Sequence, residues 1–214
     1  MFNQVKRLLK IMKTVFSILA LALTPLVMAG NTTPVTTTAA PSKYAWEVAA
    51  VYNHALTDIN KDFPSPSINT YGLDVTGLYN VKGNHYATLR FSYAFGEECG
   101  YELNNFTIMP GYRYVRPVAE KWTTFAGANL GLGISMLDYP GMHGSDYAMS
   151  SSDDMANIVY SVEVGACYAV TPKLNIVGAL MLNGGMSPFG GAAYSDASEE
   201  QVSVGVRLGV GGKF

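Results

Sequence analysis

The chain has 214 residues and a formal net charge of −2, and 14% of its residues are charged. This length suits one domain, and an acidic balance without a basic patch argues against a nucleic-acid-binding protein. Beyond residue 29 no apolar run is long enough to cross a membrane as a helix, which excludes a helical membrane domain there.

The first 29 residues have the pattern of a secretory signal peptide. A basic segment precedes an apolar run from Val15 to Leu23, and Val27-Met28-Ala29 resembles a small-residue cleavage site. An uncleaved anchor is the alternative, but the run is short for a spanning helix. Residues 30–42 are rich in Thr and Pro and predict a disordered leader. Residues 43–214 are then expected to form the folded domain.

Eight stretches of this domain alternate between apolar and small or polar residues, which is the period of a β-strand. The last is the clearest, because apolar residues occupy every second position from Val202 to Val210. Most stretches have the 9–11 residues or so that a tilted strand needs to cross a membrane. We therefore predict an all-β fold, an eight-stranded antiparallel up-and-down transmembrane β-barrel. The predicted strands are Tyr44–Tyr52, Tyr71–Val81, His85–Phe95, Asn105–Val115, Trp122–Met136, Ile158–Val170, Leu174–Leu182 and Val202–Phe214.

The connections between the predicted strands alternate in length. Short turns at 82–84, 116–121 and 171–173 contain Gly or Pro, as turns commonly do. The other connections, 54–70, 96–104, 137–157 and 183–201, are mostly longer. Outer-membrane barrels have short periplasmic turns and longer external loops, so this pattern predicts that both termini lie in the periplasm.

Six charged residues within the predicted strands share the less apolar face. An Arg or Lys facing lipid near the midplane costs about 2–4 kcal/mol, so this face is predicted to line the lumen. Eight strands enclose an interior that side chains about fill, which favours a paired polar network over an open channel. A soluble, lipocalin-like barrel is the alternative, but it would need apolar residues inside. The six residues are Glu47, Asp74, Arg90, Arg113, Glu163 and Arg207.

Aromatic residues on the outward face are predicted to form two girdles at the membrane–water interfaces. Rings that fill a soluble core are the alternative, but the two bands are separated by mainly aliphatic residues. The periplasmic girdle comprises Tyr44, Trp46, Tyr79, Tyr112, Tyr114, Trp122, Tyr168 and Phe214. The external girdle comprises Tyr52, Tyr71, Tyr93, Phe95, Phe106 and Tyr160.

Charge is distributed unequally between the two predicted sides. Acidic residues dominate the external loops, and basic residues dominate the periplasmic side, where they would suit anionic phospholipid headgroups. The acidic loops are either simply solvated or able to recruit divalent cations. Asp153-Asp154 lacks the spacing of a calcium loop, so no metal site is predicted. Cys99 and Cys167 fall at opposite ends of the strand map, beyond bridging distance, and two free thiols are expected.

Three segments carry a resemblance to a known family. They are Met109–Tyr114 (MPGYRY), Glu120–Gly133 (EKWTTFAGANLGLG) and Tyr168–Leu174 (YAVTPKL). Their glycine and aromatic patterns resemble the small outer-membrane β-barrel domain family, the OmpA/OmpX-like group of Gram-negative bacteria, over about residues 43–214. The resemblance implies an outer-membrane location and a terminal Phe214 that is read as the assembly signal by the barrel-assembly machinery. A cell-wall tether is not implied, because the peptidoglycan-binding domain of longer OmpA-type members does not follow.

The leading functional hypothesis is a structural or surface-interaction barrel with a side-chain-filled polar lumen and acidic external loops. A narrow pore or small-solute conduit is the alternative, which the glycine-rich inner faces of strands five and eight favour. A lipid-modifying outer-membrane enzyme is a third, but nothing near His54, His85 or His143 marks a nucleophile paired with a base.

No enzymatic activity, catalytic residue or cofactor is therefore predicted. The expected partners are outer-membrane lipids, the barrel-assembly machinery and periplasmic chaperones during biogenesis, and a surface ligand that the sequence does not identify. A monomer is expected, and no nucleic acid is an expected partner.

Overall fold

The computed structural model describes residues 42–56, 68–98, 100–138, 152–186 and 200–213. Within these residues eight strands follow one another in chain order as antiparallel neighbours, and β8 pairs with β1 to close the barrel. The prediction of an eight-stranded antiparallel β-barrel is confirmed. The strands are β1 Tyr44–Ala55, β2 Thr70–Lys82, β3 His85–Glu98, β4 Tyr101–Pro117, β5 Trp122–Asp138, β6 Ser152–Ala169, β7 Leu174–Met186 and β8 Glu200–Lys213.

The predicted signal peptide and almost all of the predicted leader lie outside the described residues, as do Cys99, His143 and Phe214. Cys167 is a free thiol. Among the described residues, no helix is long and apolar enough to span a membrane.

The two ends of the barrel differ in their connections. The "turn end" carries the short turns 83–84, 118–121 and 170–173, together with the first residue of β1 and the last of β8. The "loop end" is the opposite one, where β3 and β4 also meet. At the turn end Gly83 has a φ of 56°, a backbone conformation that residues with a side chain rarely adopt. Asn80 Nδ2 donates a hydrogen bond of 2.7 Å to the carbonyl oxygen of Gly83.

Alternation along each strand separates a buried inner face from an exposed outer face. In β2, Leu73 is 58% exposed while the next residue, Asp74, is 2% exposed. Many large apolar side chains are exposed on the outer face of the strands, and the six charged side chains near the middle of the strands point inward. This arrangement is the inverse of a soluble barrel and is expected where lipid surrounds the outer face.

Two outward-facing rings cover glycines on neighbouring strands. Trp46 lies opposite Gly212, and a Cβ at that glycine would come within 2.6 Å of the indole ring. Tyr160 lies opposite Gly184 in the same way, with its ring 2.2 Å from the position of the missing Cβ. The glycines give these aromatic rings room to lie flat on the sheet, which pins the register at these two positions.

The strands extend further at the loop end than the sequence pattern predicted. The longer connection predicted at 96–104 is wrong, because β3 continues to Glu98 and β4 begins at Tyr101. Glu97 pairs directly with Glu102 across this hairpin, and both side chains are exposed on the outer face. Hydrogen bonding of the strands thus continues after the apolar pattern has stopped, and a loop prediction based on charge ends the strands too early.

An apolar layer fills the lumen near the turn end. Phe125, Val177 and Ala179 are buried against one another, and the partly buried Val115 and Cys167 pack on them. A Cβ at Gly165 would lie 2.4 Å from Phe125 Cζ, so this glycine provides the space for the ring. The lumen is therefore filled at this level by side chains.

The close contact between β4 and β5 at Gly131 can be tested by substitution. A Cβ at the inner position Gly131 would lie 1.9 Å from the backbone oxygen of Ile108, whereas a Cβ at the outer position Gly178 meets nothing within 4 Å. We expect Gly131→Ala to destabilise the barrel by about 1–3 kcal/mol, since the backbone must move, and Gly178→Ala to be tolerated. Urea unfolding in lipid vesicles measures the difference, and equal stability of the two variants would contradict this packing.

Candidate functional site

Six strands bring charged side chains to one level of the lumen. The structure places all six sequence-predicted lumen residues there, and each is buried. Because side chains along a strand alternate between the two faces, the register of the strands brings these six side chains to the same level. We call this set the charge layer; its members are Glu47 (β1), Asp74 (β2), Arg90 (β3), Arg113 (β4), Glu163 (β6) and Arg207 (β8).

Glu163 is the centre of the charge layer. Its Oε1 accepts hydrogen bonds from Arg113 Nε at 3.1 Å and Arg113 Nη2 at 2.8 Å. Its Oε2 accepts from Arg207 Nη1 at 3.1 Å and forms a shorter contact with Arg90 Nη2. One carboxylate therefore contacts three guanidinium groups, each from a different strand.

Glu47 completes a ring of ion pairs. Its Oε1 accepts from Arg113 Nη1 at 2.6 Å, and its Oε2 forms a short contact with Arg207 Nη2. Arg113 and Arg207 are thus each shared between Glu47 and Glu163. Charge-assisted bonds of this kind are stronger than neutral ones, and the shared partners fix the side-chain positions.

Asp74 pairs less closely with arginine than the other two acids do, and the side chain of Ser92 also forms a hydrogen bond with it. Its Oδ2 lies 3.8 Å from both Arg90 Nε and Arg207 Nε, which is an ion pair but too long for a hydrogen bond. Within the described part of the chain, Asp74 Oδ1 and both of these Nε atoms have no hydrogen-bond partner. The layer is electrically balanced, with three acids and three bases, but its hydrogen bonding is incomplete on the Asp74 side.

The charge layer rests on the apolar layer. The guanidinium carbon of Arg113 lies 4.2 Å from the ring centroid of Phe125, in cation–π contact. A Cβ at Gly127 would lie 3.2 Å from Glu163 Oε1, so the glycine leaves space for the carboxylate. The charge layer and the apolar layer together occupy the part of the lumen nearer the turn end.

A polar cavity lies on the other side of the charge layer, toward the loop end. Its volume is about 150 Å³, and Asp74 and Arg90 are among its lining residues. No pattern in the sequence predicts this cavity. Asn105, Thr107 and Asn183, whose polar side chains line it, carry no charge and give no distinct signal in the sequence.

Outward-facing aromatic rings lie at both ends of the barrel. At the turn end, Tyr44 packs on Tyr79 with centroids 5.5 Å apart, and Trp122 packs on Tyr168 at 4.9 Å. At the loop end, Tyr52 contacts Tyr71 at 5.1 Å and Tyr93 contacts Phe106 at 4.6 Å. These eight members of the predicted girdles form contacting pairs across neighbouring strands, whereas Trp46 and Tyr160 cover glycines; Phe214 lies outside the described residues.

The two described histidines lie at opposite ends of the barrel. His54 Nδ1 is 2.8 Å from Asn69 Oδ1 at the loop end, and His85 contacts Tyr112 at the turn end. Neither contact pairs an imidazole with a serine, a cysteine or a carboxylate. Within the described ranges, no group of three or more His, Cys, Asp or Glu residues is arranged to hold a metal ion.

Comparison with known proteins identifies the fold. No protein-family profile matches the sequence, and no curated protein matches it either. The crystal structure of Neisserial surface protein A superposes with a TM-score of 0.60 at 16% identity, over 81% of this chain and 98% of that one. The outer-membrane enzyme PagL gives a TM-score of 0.52 at 13% identity, over 78% of this chain and 99% of that one. The resemblance to small outer-membrane β-barrels is thus confirmed at the level of the fold.

The central position of Glu163 predicts a large effect of its neutralisation. Glu163→Gln leaves three buried arginines with only two carboxylates, and we expect a loss of about 3–5 kcal/mol in the free energy of unfolding. Glu120→Gln, in the exposed turn between β4 and β5, is the matched control and should change stability little. Urea unfolding in lipid vesicles, followed by gel mobility, measures both.

The double variant Glu163→Gln/Arg113→Gln restores equal numbers of acids and bases. We expect it to recover part of the stability lost in Glu163→Gln. A double variant that is less stable than Glu163→Gln would contradict charge balance as the basis of the effect.

Proposed function

We propose that this chain is an integral outer-membrane barrel of a Gram-negative bacterium, with a closed polar lumen and a structural or surface-interaction role. The observation that carries the proposal is the charge layer, in which one carboxylate holds three arginines across the lumen. Six of the eight described strands contribute to it, so it ties the wall of the barrel together. The same residues leave no wide passage at that level.

Membrane insertion is supported by the chemistry of the outer face. Leu130, Leu132, Leu180 and Leu208 are all more than 60% exposed. Soluble monomers rarely expose contiguous apolar patches above a few hundred Å², and here apolar residues cover the outer wall between two aromatic bands. Lipid is the partner that this surface requires.

The charges at the two ends support an orientation. Basic residues are concentrated at the turn end; Lys43, for example, lies 5.6 Å from the ring centroid of Tyr44 and 6.0 Å from that of Tyr79. Such a rim suits the anionic headgroups of an inner leaflet. At the loop end, Glu102 lies opposite both Glu97 and Asp138, and these exposed carboxylates suit an aqueous exterior. The termini are then periplasmic and the loop end external.

We also propose partners for this protein and a main role that is not catalytic. We expect outer-membrane lipids, and during biogenesis periplasmic chaperones and the barrel-assembly machinery, to be the partners of a monomer. The non-enzymatic assignment is supported by the contact of the His54 imidazole with the amide of Asn69, because among the described residues it pairs with no nucleophile. Unchanged lipid A after overexpression is the expected result, and newly modified lipid A would favour an enzyme.

A narrow conduit is the second candidate, and the cavity above the charge layer favours it. The conduit requires that the charge and apolar layers admit a solute. In planar bilayers we expect purified wild-type protein to show no stable channel openings, because salt-bridged side chains fill the lumen. Glu163→Ala/Arg113→Ala removes the central pair and should conduct more often than wild type, whereas the exposed Lys121→Ala should behave as wild type. Frequent, stable openings of the wild type would favour the conduit.

Location and closure are tested in cells. We expect the protein in the outer-membrane fraction, with different gel mobility in unheated and boiled detergent extracts, because a closed barrel resists unfolding by detergent until it is heated. A periplasmic, soluble protein without a mobility shift would contradict the proposal.

A further inference from the structure

We propose that a groove on the lipid-facing side of the barrel binds one phospholipid with an anionic headgroup, whose phosphate contacts Arg116 and whose acyl chain lies over Gly178. The inference rests on the membrane insertion proposed above and deepens it, because it assigns one position on the outer wall to one class of lipid.

The groove crosses the outer faces of β4 to β8 near the turn end. Its volume is about 620 Å³, which is within the range of clefts that bind small molecules. A Cβ at Gly178 would meet nothing within 4 Å, so the groove is open at this glycine. Small outward-facing residues form its floor, and larger aliphatic side chains form its walls. The floor residues are Thr124, Ala166 and Gly178, and the wall residues are Val164, Leu180, Val206 and Leu208.

The strand register gives the groove an inclined path. Five of its outward-facing residues form a row in which each lies opposite the next on the neighbouring strand. In order from β4 to β8 they are Arg116, Thr124, Ala166, Gly178 and Leu208. They lie one, two, three, four and five residues from the turn end of their own strands. The row therefore begins at the rim with Arg116 and goes deeper with each strand.

The dimensions of this row correspond to one leaflet of a membrane. Neighbouring strands are about 4.8 Å apart, so the row spans about 19 Å along the wall. Strands of such barrels are tilted by about 40°, so the row descends by about 12 Å over that length. One leaflet contributes about 15 Å of hydrocarbon. With Arg116 at the level of the headgroups, Leu208 lies within the acyl-chain layer.

Positive charge lies at the shallow end of the groove. In its described lining, Arg116 is the one outward-facing charged residue. The adjacent turns 118–121 and 170–173 add Lys121 and Lys173 against one acid, Glu120. The backbone oxygen of Lys121 accepts a hydrogen bond of 2.8 Å from Ala169 N, which holds the first turn against the end of β6. A guanidinium binds phosphate well, so a basic rim beside an apolar groove matches a lipid with an anionic headgroup.

An aromatic pair borders the groove on the side of the turn end. Trp122 and Tyr168 pack against each other with centroids 4.9 Å apart. They are the next outward-facing residues beyond Thr124 and Ala166 in that direction. Trp and Tyr are enriched at the level of the headgroups, so this pair supports the same depth for the beginning of the row.

A second copy of the chain fits this groove less well than a lipid does. In a dimer with its two-fold axis along the membrane normal, the same face of both copies would be in contact. The two Arg116 side chains would then lie at the same depth in one interface, where like charges repel. A lipid phosphate at that depth is instead attracted.

Fluorescence of Trp122 reports which lipid lies beside the groove. The chain has two tryptophans, so Trp46→Phe leaves Trp122 as the single fluorophore. The full barrel with this substitution is refolded into phosphatidylcholine vesicles that contain a minor fraction of phosphatidylglycerol. Bromine atoms, which quench tryptophan, are carried on the acyl chains of one lipid or the other. We expect quenching to give phosphatidylglycerol an affinity for this position about fivefold above that of phosphatidylcholine.

Two substitutions separate the charge from the groove. Arg116→Gln should remove the preference, whereas Lys82→Gln, at the turn end of β2 on the other side of the barrel, should keep it. Gly178→Leu fills the floor and should also remove the preference. Its matched control is Gly77→Leu on the outer face of β2, because a Cβ there likewise meets no atom closer than 4.0 Å. Heat-shifted gel mobility checks the folding of all four variants.

Three results would overturn the inference. Equal quenching by both lipids would do so while leaving membrane insertion in place. A preference that Arg116→Gln loses and Gly178→Leu keeps would mean that the rim charge acts without the groove. Cross-linked dimers that Gly178→Leu abolishes would assign the groove to a second copy. Absence of quenching by either lipid would instead contradict membrane insertion itself, and the inference with it.

Discussion

The contact of the Glu163 carboxylate with three guanidinium groups is the constraint on which the rest of the lumen depends. Buried ions must be paired with good geometry, because their desolvation otherwise outweighs their attraction. Here the arginines come from β3, β4 and β8, so their pairing with one acid on β6 requires all four strands to be in register. Closure of the barrel and pairing of the charges thus require the same strand register. A slip of one strand by one residue would turn its charged side chain toward lipid.

Small residues make that pairing geometrically possible. Gly127 leaves space beside Glu163, and Gly165 leaves space for Phe125, on which Arg113 lies. The lumen is consequently divided into an apolar layer, a charge layer and a polar cavity, in order from the turn end to the loop end. Side chains thus fill the lumen near the turn end, whereas the cavity occupies the part toward the loop end.

The sequence predicts the faces of the strands better than their ends or their contacts. Parity alone places Asp74 and Arg90 inside, because a strand has a fixed period of two. It does not predict that β3 runs to Glu98, since strand pairing continues into water where the apolar signal stops. Nor does it predict which acid meets which base, because that depends on long side chains that reach across the lumen between strands that are not neighbours.

The cavity was beyond sequence-based prediction for a related reason. Its polar walls come from uncharged residues on the inner faces of several strands, and each is an ordinary lumen residue when it is read alone. Only the register of the closed sheet brings these residues around one space, beside Asp74 and Arg90 of the charge layer.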